Sequence, residues 1–179
     1  SPPPTSPLPP GAPPPPPILD QYQIVFSAIA GETETPPRIS LAGIELFTAD
    51  DQAIEVTSVS NPGGSSPGGE GADNLIVSGA SAASTKWVDE AIEQPDGSIQ
   101  STLILHLSQE VVVATYRFTA ASGNEGRQPT AWQFGLAGTD GSFIPLSAVQ
   151  GGSTGTTYYA TMPPPPPGSP PPPLSPPSS

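Results

Sequence analysis

The sequence predicts an all-β domain, a sandwich or jelly roll, carried between two polyproline II flanks. Three observations lead there. The 29 prolines gather at the two ends, 11 in residues 1–17 and 11 in residues 163–179. Residues 18–162 between them hold every charged residue and nearly all the β-branched and aromatic ones. In that middle part, short apolar runs with a period of two are punctuated by Gly and Ser, and no stretch has the period of a long amphipathic helix.

The flanks come first. Residues 1–17 and 163–179 are built only from Pro, Ser, Thr, Gly, Ala and Leu, so neither has the apolar surface to offset the entropy of collapsing into a core. Proline fixes φ near −65° and removes the backbone donor, which selects polyproline II in the runs Pro13, Pro14, Pro15, Pro16, Pro17 and Pro163, Pro164, Pro165, Pro166, Pro167. At about 3.1 Å per residue each flank spans on the order of 50 Å. The middle, of about 145 residues, is the size of one domain with a single core.

Along residues 18–162, strand character falls at Tyr22 to Ile29, Ile39 to Phe47, Ala53 to Val59, Leu75 to Val77 and Ser101 to Leu107. It recurs at Val111 to Thr119, Thr130 to Leu136, Phe143 to Val149 and Thr156 to Thr161. Leu103, Leu105 and Leu107 alternate with Ile104, His106 and Ser108, one face apolar and the other mixed. Turn residues are densest from Asn61 to Gly71, and Thr139-Asp140-Gly141 marks a tight turn between two strands. Many short strands with such turns indicate a sandwich or jelly roll.

Charge and composition exclude several classes of function. Sixteen acidic residues against four basic ones give a net charge of −12, which repels phosphate backbones and anionic lipid headgroups, so nucleic acid is no partner. No apolar run reaches the roughly 20 residues of a membrane span. Ser1 is not an initiator Met, so the sequence reads as a mature or excised piece. There is no Cys, which removes disulfides and thiol chemistry.

The inventory for catalysis is thin. His106 is the single His, and no Ser sits in a Gly-x-Ser-x-Gly elbow. Asp50-Asp51 and Asp89-Glu90 are sequence neighbours whose side chains on a strand point to opposite faces, not toward one another as an acid/base pair. The chain therefore reads as a non-enzyme. Trp87, Trp132, Phe143, Tyr158 and Tyr159 are the aromatics able to stack on sugars. Large aromatics in small sandwiches are more often core, which leaves Tyr158 and Tyr159, adjacent on the last strand, as the candidates to contact a ligand or the proline rod. Arg117 and Arg127 suit internal ion pairs better than ligand contacts.

Two resemblances add to this reading. Ser1-Pro2-Pro3-Pro4 and Ser169-Pro170-Pro171-Pro172-Pro173 resemble the extensin-type repeats of hydroxyproline-rich plant and green-algal wall glycoproteins. That resemblance implies hydroxylation and O-linked arabinosylation of the proline tracts. The residues themselves also allow a naked linker or a ligand for proline-reading modules. An N-linked glycan has no sequon, because Asn61 precedes Pro62 and neither Asn74 nor Asn124 has Ser or Thr two places on.

The second resemblance lies in the middle. Thr115-Tyr116-Arg117-Phe118-Thr119, then Arg127-Gln128-Pro129-Thr130-Ala131-Trp132-Gln133-Phe134, then Gly138-Thr139-Asp140-Gly141 are similar in order and spacing to the discoidin or galactose-binding-like jelly roll. Asn74-Leu75-Ile76, Ser84-Thr85-Lys86-Trp87 and Ile39 to Phe47 extend the similarity over most of residues 20–160. It implies a galactose-binding-like jelly-roll β-sandwich with Trp87 and Trp132 in the core. Gln128 and Val77-Ser78-Gly79 depart from the pattern, the latter beside the loop that holds calcium in many members. Glu70, Asp73 and Asp89 are hard oxygen donors for calcium, although acidic residues in a Gly-rich loop are ordinarily just solvated. No cofactor is expected.

Together these features imply a structural module of an extracellular glycoprotein, similar to those of volvocine algal walls or mastigoneme-type flagellar filaments. Its expected partners are copies of itself or other matrix glycoproteins. A carbohydrate-binding module on a proline-rich stalk is the alternative.

Overall fold

The computed structural model describes residues 20–31, 35–76, 85–123, 125–138, 142–153 and 157–159. Alternating apolar residues build its principal strands. In β1 (Gln21–Ile29), Tyr22, Ile24 and Phe26 point into the core, and their neighbours point away from it. The remaining strands are β2 (Ile39–Leu41), β3 (Gly43–Phe47), β4 (Ala53–Ile54), β5 (Val56–Ser60), β6 (Trp87–Asp89), β7 (Ser101–Leu107), β8 (Thr115–Thr119), β9 (Pro129–Ala137), β10 (Phe143–Pro145), β11 (Gln150–Gly151) and β12 (Thr157–Tyr159). In β7, Leu103, Leu105 and Leu107 are buried, and in β9 so are Trp132, Phe134 and Leu136. The regular structure of the described residues is therefore mostly β, with two short 3-10 turns at Ala72–Ile76 and Glu125–Arg127.

Every strand pair is antiparallel. The larger sheet has the order β10-β9-β1-β7-β5, with β11 also on β9; the smaller has the order β12-β8-β3-β4; β2 and β6 form a separate pair. Aromatic rings join the two larger sheets. Tyr116 of β8 stacks on Phe134 of β9 at 4.5 Å, and Phe118 of β8 meets Trp132 of β9 edge-on at 5.1 Å and Phe26 of β1 at 5.7 Å. Each such pair contributes about 0.5–1.5 kcal/mol beyond the area it buries. The result is a two-sheet sandwich with Trp87 and Trp132 fully inside.

Several strand expectations change in detail. Leu75 to Val77 is no strand. Ala72–Ile76 is a 3-10 turn, held because Asn74 Nδ2 donates to Gly69 O at 2.7 Å and Lys86 O at 2.8 Å; Val77 lies outside the described residues. The apolar run Leu75-Ile76-Val77 suits a strand by composition, and the Asn74 bonds override that preference. Ile39 to Phe47 divides at Ala42: β2 pairs with β6 and β3 with β8, and Ala42 N donates to Thr119 O where they part. Residues 111–114 precede β8 as irregular chain, and β10 stops at Pro145 because the Leu146 and Ser147 amides turn in to donate to Phe134 O. The short strand β6 was not among the expected runs. The Thr139-Asp140-Gly141 turn lies outside the described residues, bracketed by a Gly138 N to Ser142 O bond of 2.8 Å.

Register also fixes where the ends of the domain lie. Gln21 sits opposite His106 and Tyr22 opposite Leu136, so the start of β1 shares a pole with the ends of β7 and β9. The Tyr22 hydroxyl donates to Val111 O at 2.7 Å and accepts from Val113 N at 3.2 Å, just before β8 begins. Tyr159 lies opposite Thr115, the first residue of β8. Asp20 and Tyr159, next to the two flanks, are thus at the same pole, one on each sheet.

Candidate functional site

That shared pole is acidic. Asp20, Asp50, Asp51, Glu55 and Glu110 are all exposed on or beside its loops. Three of the four cations in the sequence lie around the opposite pole: Arg38 pairs with Glu90 at 3.1 Å, Lys86 pairs with Glu70 at 3.4 Å, and Arg127 ends the second 3-10 turn. Arg117 is on the outer face of β8, where its Nε and Nη2 donate to Glu45 Oε2 at 2.9 and 2.8 Å and its guanidinium lies 5.6 Å from the Phe47 ring centre. Both partners are solvent-exposed, so this ion pair is worth under about 1 kcal/mol.

The proline candidates of residues 1–17 and 163–179 lie outside the described residues. Tyr159 belongs to β12 by its backbone, opposite Thr115. Tyr158 is in the core and not on the surface, only 9 % exposed. Its register partner is Tyr116, an inward residue of β8, and direct partners share a face. Its ring meets Trp132 edge-on at 4.8 Å, and its hydroxyl accepts from Ser153 N at 2.9 Å and donates to Ser153 O at 2.8 Å. Its ring is engaged within the aromatic core of the domain. Phe143, on the edge strand β10, packs over Gly135, where a Cβ would collide with its ring.

The three carboxylates considered for calcium do not converge. Glu70 is held by Lys86, and Asp73 Oδ1 accepts from Val59 N at 3.1 Å, which caps the free edge of β5. Asp89, 1 % exposed, ties loops to the larger sheet. Its Oδ1 accepts from Ser65 N at 2.9 Å and Ala91 N at 3.0 Å, and its Oδ2 from Ser101 Oγ at 2.6 Å and Asn61 Nδ2 at 3.2 Å. Four neutral donors compensate the buried charge. Among the described residues, no group of three or more His, Asp or Glu side chains is placed to hold a metal ion. His106 stands on the outward face of β7, and its carbonyl accepts from Thr57 Oγ1 at 3.0 Å.

The described residues also form surface recesses. A cleft of about 420 Å³ opens at the corner where the chain passes from β4 to β5, with Ile44, Leu46, Ile54, Val56 and Ile76 inside and the exposed Glu45 and Glu55 beside them. A smaller polar one of about 190 Å³ lies at the other pole between Pro62–Gly64, Gln94 and Gln100–Thr102. The Asp89 tie and the shared pole escaped sequence reasoning. A lone buried carboxylate has no spacing signature, and the meeting of chain ends depends on register. No family model, curated protein or solved structure matches this chain. Among the described residues no helix is long and apolar enough to cross a membrane.

Proposed function

We propose that the chain is a non-catalytic structural module of an extracellular hydroxyproline-rich glycoprotein, a component of a cell wall, matrix or surface filament. Its proline-rich flanks set spacing, and its sandwich, a jelly roll of the galactose-binding-like type, docks on neighbours. The observation that carries this reading is the pairing of two proline tracts with one β domain whose two ends emerge together. Attachment at one pole leaves the other pole available for contact. The acidic attachment pole disfavours like-charged approach there and so helps direct contacts elsewhere. The finer fold assignment is supported by two antiparallel sheets whose neighbours are far apart in sequence, β1 between β7 and β9 and β3 beside β8.

The test is intact mass and glycopeptide spectrometry on native material. Hydroxyl and pentose increments on Pro2–Pro4, Pro13–Pro17, Pro163–Pro167 or Pro170–Pro173 are the expected result, and bare proline throughout would overturn the reading. A second reading, a carbohydrate-binding module on a proline stalk, is favoured by the polar recess at the free pole, whose Gln94, Gln100 and Thr102 suit sugar hydroxyls. Saturable binding by monomers on a glycan array would select it.

A further inference from the structure

We infer that the cleft between β4 and β5 is a docking site for an extended, basic segment of another protein, with an aliphatic side chain on its floor and lysine or arginine at its rim. The floor comes from the sandwich itself. Ile44 and Leu46 of β3, Ile54 of β4, Val56 of β5 and Ile76 line it. Its volume of about 420 Å³ falls within the range of about 300–1,000 Å³ usual for sites that hold a ligand. Ile44 and Leu46 belong to the core cluster, so an aliphatic group seated there adds to the core.

The cleft exists because two strands part. β4 ends at Ile54 on the smaller sheet, and β5 begins at Val56 on the larger one, opposite Leu107. β4 therefore pairs with Leu46 and Phe47 of β3 but not with Gly43, Ile44 or Glu45, which are paired on their other side with β8. Thr48 N donates to Gln52 O on the β4 side. The amide and carbonyl of a strand residue turn to one side together and alternate along the strand, so those of Leu46 and Ile44 also face β4's side. At Leu46 they face Ile54; at Ile44, among the described residues, no strand lies opposite. An extended segment laid where β4 would have run on joins that edge as an added strand and turns alternate side chains to the floor.

The rim sets the charge of the occupant. Glu55 is exposed at the mouth, and Asp50 and Asp51 are exposed on the turn between β3 and β4. Ser108 N donates to Glu55 O at 3.4 Å, which brings the loop bearing the exposed Glu110 alongside. Arg117, the cation of the neighbouring strand, is paired with Glu45. Neither the proline flanks, which carry no charge, nor a second copy at a net −12 supplies the complement. A basic segment supplies it, and the field of the acidic pole speeds its approach. The proposal rests on the docking reading and adds the chemistry of one neighbour: like-charged copies are turned away from this pole, and a basic partner is drawn to it.

The test titrates the isotope-labelled full chain with the peptide acetyl-Lys-Val-Lys-Val-Lys-amide at physiological salt, where distant charges are screened, and follows the backbone amides by NMR. Saturable shifts centred on Ile44, Glu45, Glu55 and Val56 are expected. Lys-Ser-Lys-Ser-Lys keeps the charge without the aliphatic groups, and Glu-Val-Glu-Val-Glu does the reverse; each should bind about tenfold more weakly. E55Q should lower affinity for the Lys-Val peptide about fivefold. D96N removes the same charge from an exposed turn before β7, at the opposite pole, and should leave affinity unchanged. Equal binding of the Lys-Ser peptide would overturn the proposal, since charge alone then suffices, as would equal effects of E55Q and D96N or shifts centred elsewhere. Tighter binding of pentaproline, or the same shifts on concentrating the chain alone, would overturn it by making the occupant a proline tract or a second copy. Bare prolines in native material would leave every one of these results standing, so the two failures are distinct.

Discussion

β1 and β12 each join the domain to one flank at the same pole, yet β1 spans nine residues with a partner on both sides, and β12 spans three with a partner on one. β1 is the central strand of the larger sheet and buries Tyr22, Ile24 and Phe26, each 2 % exposed or less. β12 is an edge strand with Tyr158 as its one described anchor. Equal attachment points thus have unequal hold. A pull on the first flank loads the middle of the fold, and a pull on the second loads its margin, so the domain yields from its C-terminal side before its core opens.

The largest expected effect comes from cutting into the stronger side. Phe26 touches Trp87 at 5.9 Å and Phe118 at 5.7 Å, and Phe26→Ala should cost about 3–5 kcal/mol, a large part of an ordinary domain's stability of about 5–15 kcal/mol. Tyr158→Ala should cost less, about 2–3 kcal/mol, because only the segment from Gly152 to Tyr159 is released. Urea midpoints measure both. Hydrogen exchange should show fast amides confined to β12 and the β8 edge in the second variant and spread through the larger sheet in the first. Equal midpoint shifts with the same exchange pattern would erase the distinction between the two strands.

How much of this was legible beforehand differs in the same way. The alternation of β7 and of Tyr22, Ile24 and Phe26 announces a one-sided strand, because a long strand in a sheet repeats its signal. β12 gives no such repeat. With two adjacent tyrosines, either Tyr158 or Tyr159 fits the inward position, and only the pairing of Tyr158 with Tyr116 decides. Short elements have the same weakness elsewhere: β6 and the 3-10 turn at Ala72–Ile76 are fixed by Asp89, Asn74 and Asp73 reaching across the fold. Their bonds are long-range, and no local pattern encodes them. The proline tracts declare their backbone preference plainly, while their modification is chemistry that Pro and Ser only permit.

Alkaline pH tests the aromatic layer beneath each end. Burial pushes the Tyr116 phenol up to about 12 from an ordinary 10.0, against the opposing bond from Trp132 Nε1 at 2.9 Å. Burial likewise raises the Tyr22 phenol. The folded chain holds these protons more tightly than the unfolded chain does. The stability that Tyr116 contributes is therefore complete below pH 10 and is lost as pH rises from 10.0 toward 12. The fall attributable to Tyr116 should be about 2 kcal/mol. Melting temperatures followed through that window should decline, and Tyr116→Phe should flatten most of the slope and leave the share due to Tyr22. A slope unchanged by Tyr116→Phe would place the titration elsewhere.

The smallest expected effect separates the two anchoring hydroxyls. The Tyr22 hydroxyl serves Val113 N, a donor on a fully buried residue, and Val111 O. Tyr22→Phe leaves that amide without a partner, which costs about 1–3 kcal/mol. The Tyr158 hydroxyl serves Ser153, an exposed residue whose amide and carbonyl can turn to water instead. Tyr158→Phe should therefore cost about 0.5–1 kcal/mol, leave the ring contacts with Trp132 in place and loosen only the Gly152–Tyr158 unit. Denaturant midpoints of the two variants, measured side by side, give the ratio. If Tyr158→Phe costs as much as Tyr22→Phe, the Ser153 amide and carbonyl do not turn to water, and the two hydroxyls anchor the chain equally.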